Sequence, residues 1–129
     1  MKQLLAVILI FSVLMTGCSV SRKATNTYRQ IDQHEAKNLI DTRDTIILDV
    51  REQSEYDTGH IPNAVLLPVG TISEATAADV IPEIDTIVLV YCRSGNRSKT
   101  ASAALAELGY TNIYEFGGIN TWPYEVEKE

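Results

Sequence analysis

The sequence predicts an α/β domain built on an open, mainly parallel sheet. Three short apolar runs rich in β-branched residues have strand length: "TIILDV" (residues 45–50), "AVLLP" (64–68) and "TIVLVY" (86–91). Segments of helical pattern alternate with them, as the crossovers between parallel strands require. With 129 residues, 45% hydrophobic and 22% charged, the chain can pack one such domain.

Residues 1–17 stand outside that domain. Lys2 follows Met1, and residues 4–15 are apolar apart from Ser12. The run is too short to span a bilayer as a helix and has the length of a signal-peptide apolar region. As a buried helix it would be apolar on every side, with no cap before it. It closes in "LMTGCS", which resembles the lipobox of bacterial lipoproteins, with Thr16 and Gly17 before Cys18 and Met15 where leucine is usual. The resemblance implies that residues 1–17 are removed, that Cys18 is lipidated, and that the protein is exported and anchored to a bacterial membrane. Several acyl chains on one residue hold stably where a single chain does not. Ser19, rather than aspartate, after the lipid cysteine implies the periplasmic side of the outer membrane in a Gram-negative cell. In a Gram-positive cell the protein would sit on the outer face of the plasma membrane. Residues 18–27 then form a lipidated cysteine and polar tether, and residues 28–129 the domain.

Within the domain, "DQHEAKNLID" (32–41) reads as a helix. Asp32 and Glu35 make a D-x-x-E capping pattern, and Ala36, Leu39 and Ile40 give an apolar face. Residues 45–50 form a buried strand. Glu52, Glu55 and Asp57 read as a solvated helix face. A second strand covers 64–68, a weaker helix covers 73–80 and stops at Pro82, and a third strand covers 86–91. Residues 97–108 are the clearest helix: Ala101, Ala104, Leu105 and Leu108 recur at helical spacing, and Gly109 supplies the stop. "NIYEF" (112–116) is the last strand, followed by "GGINTW".

The formal net charge of −6 excludes general nucleic-acid binding, which needs a basic footprint. The basic stretch "YCRSGNRSKT" (91–100) is therefore a local exception. It places Cys92 at the carboxyl end of a parallel strand and just before a helix, where open α/β sheets bind ligands. Backbone amides of "RSGNR" and of the first helical turn lack strand or helix partners. Gly95 permits a tight turn. The outcome is a cup of donors around the sulfur, suited to an anion. The helix start, Arg93 and Arg97 favour thiolate over thiol. Two cysteines could form one disulfide, but lipid on Cys18 would leave Cys92 as the only thiol. A structural cysteine would need neither the glycine nor the arginines.

Four stretches in this order, "ILDVREQSEYDTGHIPNA" (47–64), "LPVG" (67–70), "VYCRSGNRSKTASAALAELGY" (90–110) and "GGINTW" (117–122), resemble a single-domain rhodanese of the thiosulfate sulfurtransferase type. The match covers roughly residues 28–122. Asn63 departs from the glycine usual after "GHIP", in a turn where asparagine also tolerates left-handed geometry. The resemblance implies a rhodanese-like open, mainly parallel five-stranded sheet with helices on both faces. It also implies a sulfurtransferase in which Cys92 takes sulfur from a small anionic donor such as thiosulfate, carries it as a persulfide, and passes it to cyanide or a thiol. Arg93, Ser94, Gly95, Asn96, Arg97 and Ser98 would bind the substrate, their amides cradling the persulfide and the two arginines holding the donor. Asp49 and Arg51, on one side of a strand end, would brace the loop. His60 would pack its turn rather than shuttle protons, and Trp122 would cover the core or the site's rim. No cofactor and no metal is implied, and the two cysteines and two histidines lack metal-site spacing. A monomer is expected.

Other functions remain open on sequence alone. Phosphatases of the related cell-cycle type need C-x5-R to enclose phosphate, whereas Cys92 to Arg97 is C-x4-R. Arsenate reduction has no specific mark here. A non-catalytic binding module, or a sulfur carrier for a membrane-associated partner, is a further alternative. The intact Cys92 loop favours the enzyme over the module.

Overall fold

The structure, a computed structural model, describes residues 27–128. The expected signal peptide, Cys18 and all but the last residue of the tether lie outside the described residues. Five parallel strands form one sheet in the order β1-β5-β4-β2-β3. They are β1 (Arg29–Gln30), β2 (Thr45–Asp49), β3 (Val65–Leu66), β4 (Ile87–Cys92) and β5 (Ile113–Gly118). Four helices connect them: α1 (Gln33–Thr42), α2 (Gln53–Thr58), α3 (Glu74–Val80) and α4 (Asn96–Glu107).

Local sequence explains most boundaries. α1 starts with the expected capping box: Asp32 Oδ1 accepts from the Glu35 amide at 2.7 Å, and Glu35 Oε2 accepts from the Asp32 amide at 3.3 Å. Ser73 and Thr76 form the equivalent box at α3. Asn63 adopts φ 68°, the left-handed geometry asparagine tolerates. β1 has no pattern of its own in the sequence. Its two residues gain a place only by pairing with Tyr114 and Glu115 of β5.

The centre of the sheet is β4. Val88, Val90 and Cys92 face α3 and α4, packing with Ala77, Ala101 and Leu105. Leu89 and Tyr91 point the other way, toward Ala36 of α1 and toward Ile61, Phe116 and Trp122. Burial on both faces is why this strand is continuously apolar. α4 lies on the sheet through Ser98, Ala101, Ser102, Leu105 and Ala106. That corrects the expected stripe: Leu108 is 37% exposed and Ala104 only half-buried. The helix is rotated so that small residues face the strands, which lets it approach β4 closely.

The turn after α2 is tied to the sheet by a buried polar network. Asp49 accepts from Arg51 Nε at 3.0 Å and Nη2 at 2.7 Å, and from the Tyr91 hydroxyl at 2.7 Å. Arg51 also donates to the Gly59 carbonyl at 2.7 Å, and the Ile61 amide donates to the Tyr91 hydroxyl at 3.1 Å. Burial would weaken the Arg51 charge, but Asp49 outweighs it and raises the guanidinium's pKa. Burial and the Asp49 charge push the Tyr91 phenol upward, so it stays a donor. Asp49→Ala leaves Arg51 buried without a counter-charge and should cost about 3–5 kcal/mol in urea unfolding. The double change Asp49→Ala/Arg51→Met, which removes both charges, should recover more than half of that loss.

Candidate active site

Cys92 ends β4 and is 1% exposed. The chain then turns through Arg93, Ser94 and Gly95 into α4. Gly95 makes the turn with φ 104°, a conformation that a side chain would strain. The end of β5 presses on the same loop. A β-carbon at Gly118 would overlap the Arg93 carbonyl, and that carbonyl accepts from the Asn120 amide at 3.2 Å. Gly118 thus lets two backbones meet where the loop begins.

No side chain caps α4. The sulfur stands in for one: the Gly95 amide donates to Cys92 Sγ at 3.0 Å, and Ser98 Oγ lies 3.4 Å from it. Burial alone would push the thiol's pKa up. Hydrogen bonds at the sulfur, those from the Ser98, Gly95 and Ser94 amides among them, outweigh it and bring Cys92 below its ordinary value. Among the described residues Cys92 is the free cysteine.

The other residues singled out in the sequence fall into two groups. Arg93, Ser94 and Asn96 are exposed around the loop, and Gly95 and Ser98 are buried beneath it. Arg97 is bound to α2: its Nη1 and Nη2 donate to the Glu55 carboxylate at 2.7 and 3.0 Å. Glu55 is thus a partner of the loop, not part of a solvated face. The Cys92 charge still acts on Arg97, as one of the influences that raise the guanidinium's pKa after the larger effect of Glu55. Asp49 and Arg51 meet the Cys92 strand at Tyr91. His60 is buried in its turn, stacked on Tyr56 with ring centroids 3.8 Å apart, and its Nδ1 donates to the Tyr56 carbonyl at 2.9 Å. Trp122 packs between Phe116 and Tyr124 in the core on the α1 side. Among the described residues no three His, Cys, Asp or Glu side chains cluster as a metal would require.

One residue escaped the sequence reading. Glu115 of β5 is 2% exposed and accepts from Ser98 Oγ at 2.7 Å, so it stands behind the cup. A signal was present. Ile113 and Glu115 alternate with Tyr114 and Phe116, which puts an acid on the same row as a core isoleucine.

The Arg97–Glu55 pair carries a pH signature. Its hydrogen bonds with Arg97 hold the Glu55 carboxyl at about 2 in the folded state, below the ordinary glutamate value of about 4.3. The stabilisation is therefore complete above roughly pH 4.3 and is lost as pH falls through about 2. Both side chains are partly exposed, so wild type should exceed Glu55→Gln by about 0.5–1 kcal/mol at neutral pH. In urea unfolding that difference should shrink across the acid window.

A family model described as "Rhodanese-like domain" matches residues 32–124. The thiosulfate sulfurtransferase GlpE of Coxiella burnetii is 36% identical over 96 residues, 74% of this chain and 87% of that protein. A putative mitochondrial thiosulfate sulfurtransferase of Schizosaccharomyces pombe is 42% identical over 86 residues, 59% of this chain and 61% of that one. Among solved structures, the rhodanese-like domain of an Anabaena protein superposes with a TM-score of 0.70 at 26% identity, covering 78% of this chain and 79% of its own. An E. coli rhodanese solved with anions gives 0.62 at 28% identity, covering 66% of this chain and 99% of its own. The parallel sheet, the Cys92 loop and these matches together make the chain a member of the rhodanese-like domain family.

Proposed function

We propose that this protein is a sulfurtransferase that carries sulfane sulfur on Cys92. The observation behind it is the sulfur at the floor of a short loop, bonded by the Gly95 amide at 3.0 Å and shifted toward thiolate. The thiolate attacks the outer sulfur of a donor such as thiosulfate. A new S–S bond forms at Cys92, the donor's S–S bond breaks, and sulfite leaves with the electron pair. The amides that stabilise the thiolate then stabilise the persulfide in its place. Cyanide or a thiolate attacks the terminal sulfur, and Cys92 departs as thiolate. The lowered pKa makes it a good leaving group in this second step.

Arg93, exposed beside the loop, is the side chain for the donor's anionic end. Arg97 adds field at the sulfur but shares its charge with Glu55. The spacing C-x4-R closes a cup one residue shorter than the phosphatases' C-x5-R, which favours sulfur over a phosphoryl group. The lipobox-like segment supports a further part of the proposal: Cys18 anchors the domain to the outside of a bacterial membrane.

Incubating the full chain with thiosulfate should add one sulfur atom at Cys92 in intact mass. Cyanide should remove it, and Cys92→Ser should never acquire it. An unchanged mass, with turnover of p-nitrophenyl phosphate, would instead identify a phosphatase. For the anchor, a radiolabelled fatty acid fed to producing cells should enter the wild-type protein. Cys18→Ser should lose the label and leave the membrane fraction.

A further inference from the structure

Glu115 is a buried acid whose three bonds all come from neutral donors: Ser98 Oγ at 2.7 Å, the Gly117 amide at 2.8 Å and Gln30 Nε2 at 3.3 Å. Its place is built into the sheet. Glu115 pairs in register with Val90 and therefore faces α4, on the same side as Cys92. Beyond it the register shifts, with Cys92 paired to Gly118, so β5 holds one extra residue opposite the end of β4. That irregularity brings the Gly117 amide onto Glu115 Oε1.

Ser98 joins this carboxylate to the sulfur. A serine hydroxyl has one proton to give and two lone pairs that accept. Three acceptors compete for that proton: Glu115 Oε1 at 2.7 Å, Cys92 Sγ at 3.4 Å and the Gly117 carbonyl at 3.4 Å. The charged oxygen at the short distance wins. With its proton committed to Glu115, Ser98 presents a lone pair to Cys92 and accepts from the S–H. This arrangement favours the thiol, against the loop amides, which favour the thiolate.

We propose that Glu115 is a positioning residue for Cys92: acting through Ser98 and through its own charge, it holds the thiol's ionisation midpoint above the level the loop amides alone would set. Other charges face the pair from each packed element. Arg97 of α4 favours thiolate, Glu55 of α2 offsets Arg97, Lys99 of α4 and Asp32 ahead of α1 share a cleft with Glu115 and oppose each other in sign, and Arg93 in the loop is exposed to solvent. Glu115 is the acid that reaches Ser98 directly. The effect on chemistry follows from nucleophilicity. A thiolate loses intrinsic reactivity as its pKa falls, and the best attacking thiol titrates near the ambient pH. A cup of amides and arginines with no opposing charge would give a stable but sluggish sulfur.

Glu115 has this role only if Cys92 is the sulfur-bearing thiol, so the test reads the thiol itself and not turnover. On the full chain, iodoacetamide modification of Cys92 is followed against pH by mass spectrometry of the Cys92 peptide. Glu115→Gln is isosteric, and an amide flip of Gln30 restores its bond. It should lower the midpoint by about one unit or more. The limiting alkylation rate at high pH should fall about threefold per unit. Glu115→Asp, which keeps the charge one methylene farther from Ser98, should shift the midpoint in the same direction by less, and it carries the test should the glutamine variant fail to fold. A midpoint at or above that of wild type in either variant overturns the proposal. Sulfur uptake from thiosulfate with an unmoved midpoint rejects Glu115 alone. A lowered midpoint in a chain that takes no sulfur rejects the sulfurtransferase and leaves the control of the thiol by Glu115 standing.

Discussion

The bond from the Gly95 amide to Cys92 Sγ is the contact around which the site is arranged. It exists because a parallel strand ends and a helix begins within three residues, leaving amides that neither element can satisfy. A side-chain cap would have consumed them. α4 has none, so the sulfur takes the donors and the helix gains an acceptor at its positive end. Stability of the helix start and ionisation of the thiol are therefore one interaction seen from two sides.

Around that bond the protein sets opposing influences. Burial favours the neutral thiol, while the loop amides favour the anion, with Arg97 within reach of the sulfur's charge; on the proposal above, Glu115 adds to the first side through Ser98. Glu55 moderates Arg97 from the next helix. The site is thus a balance of charges drawn from β4, β5, α2 and α4. The Asp49–Arg51–Tyr91 network keeps β2, β4 and the turn at Gly59 in fixed relation, so the balance is struck on a rigid frame.

The close approach of β5 to the loop has its own sequence cause. Gly118 removes the side chain that would collide with Arg93, and the extra residue in β5 turns the Gly117 amide toward Glu115. The same segment therefore shapes the loop and supplies the acid behind it.

By itself the sequence determined what depends on neighbours along the chain. Apolar runs marked β2, β3 and β4. Asp32 with Glu35 marked the start of α1. The order strand–Cys92–glycine–helix marked the cup and its preference for an anion. Tertiary structure decided what depends on partners far along the chain. β1 exists only by pairing with β5. The face of α4 is set by which side chains can approach β4, and that is why Leu108 lies outside the core. Glu55 reaches Arg97 across 42 residues and Glu115 reaches Ser98 across 17, so no local pattern pairs them. Periodicity records which side of an element is buried, but the particular acid that meets a particular cation or hydroxyl is fixed only when the sheet order brings their elements together.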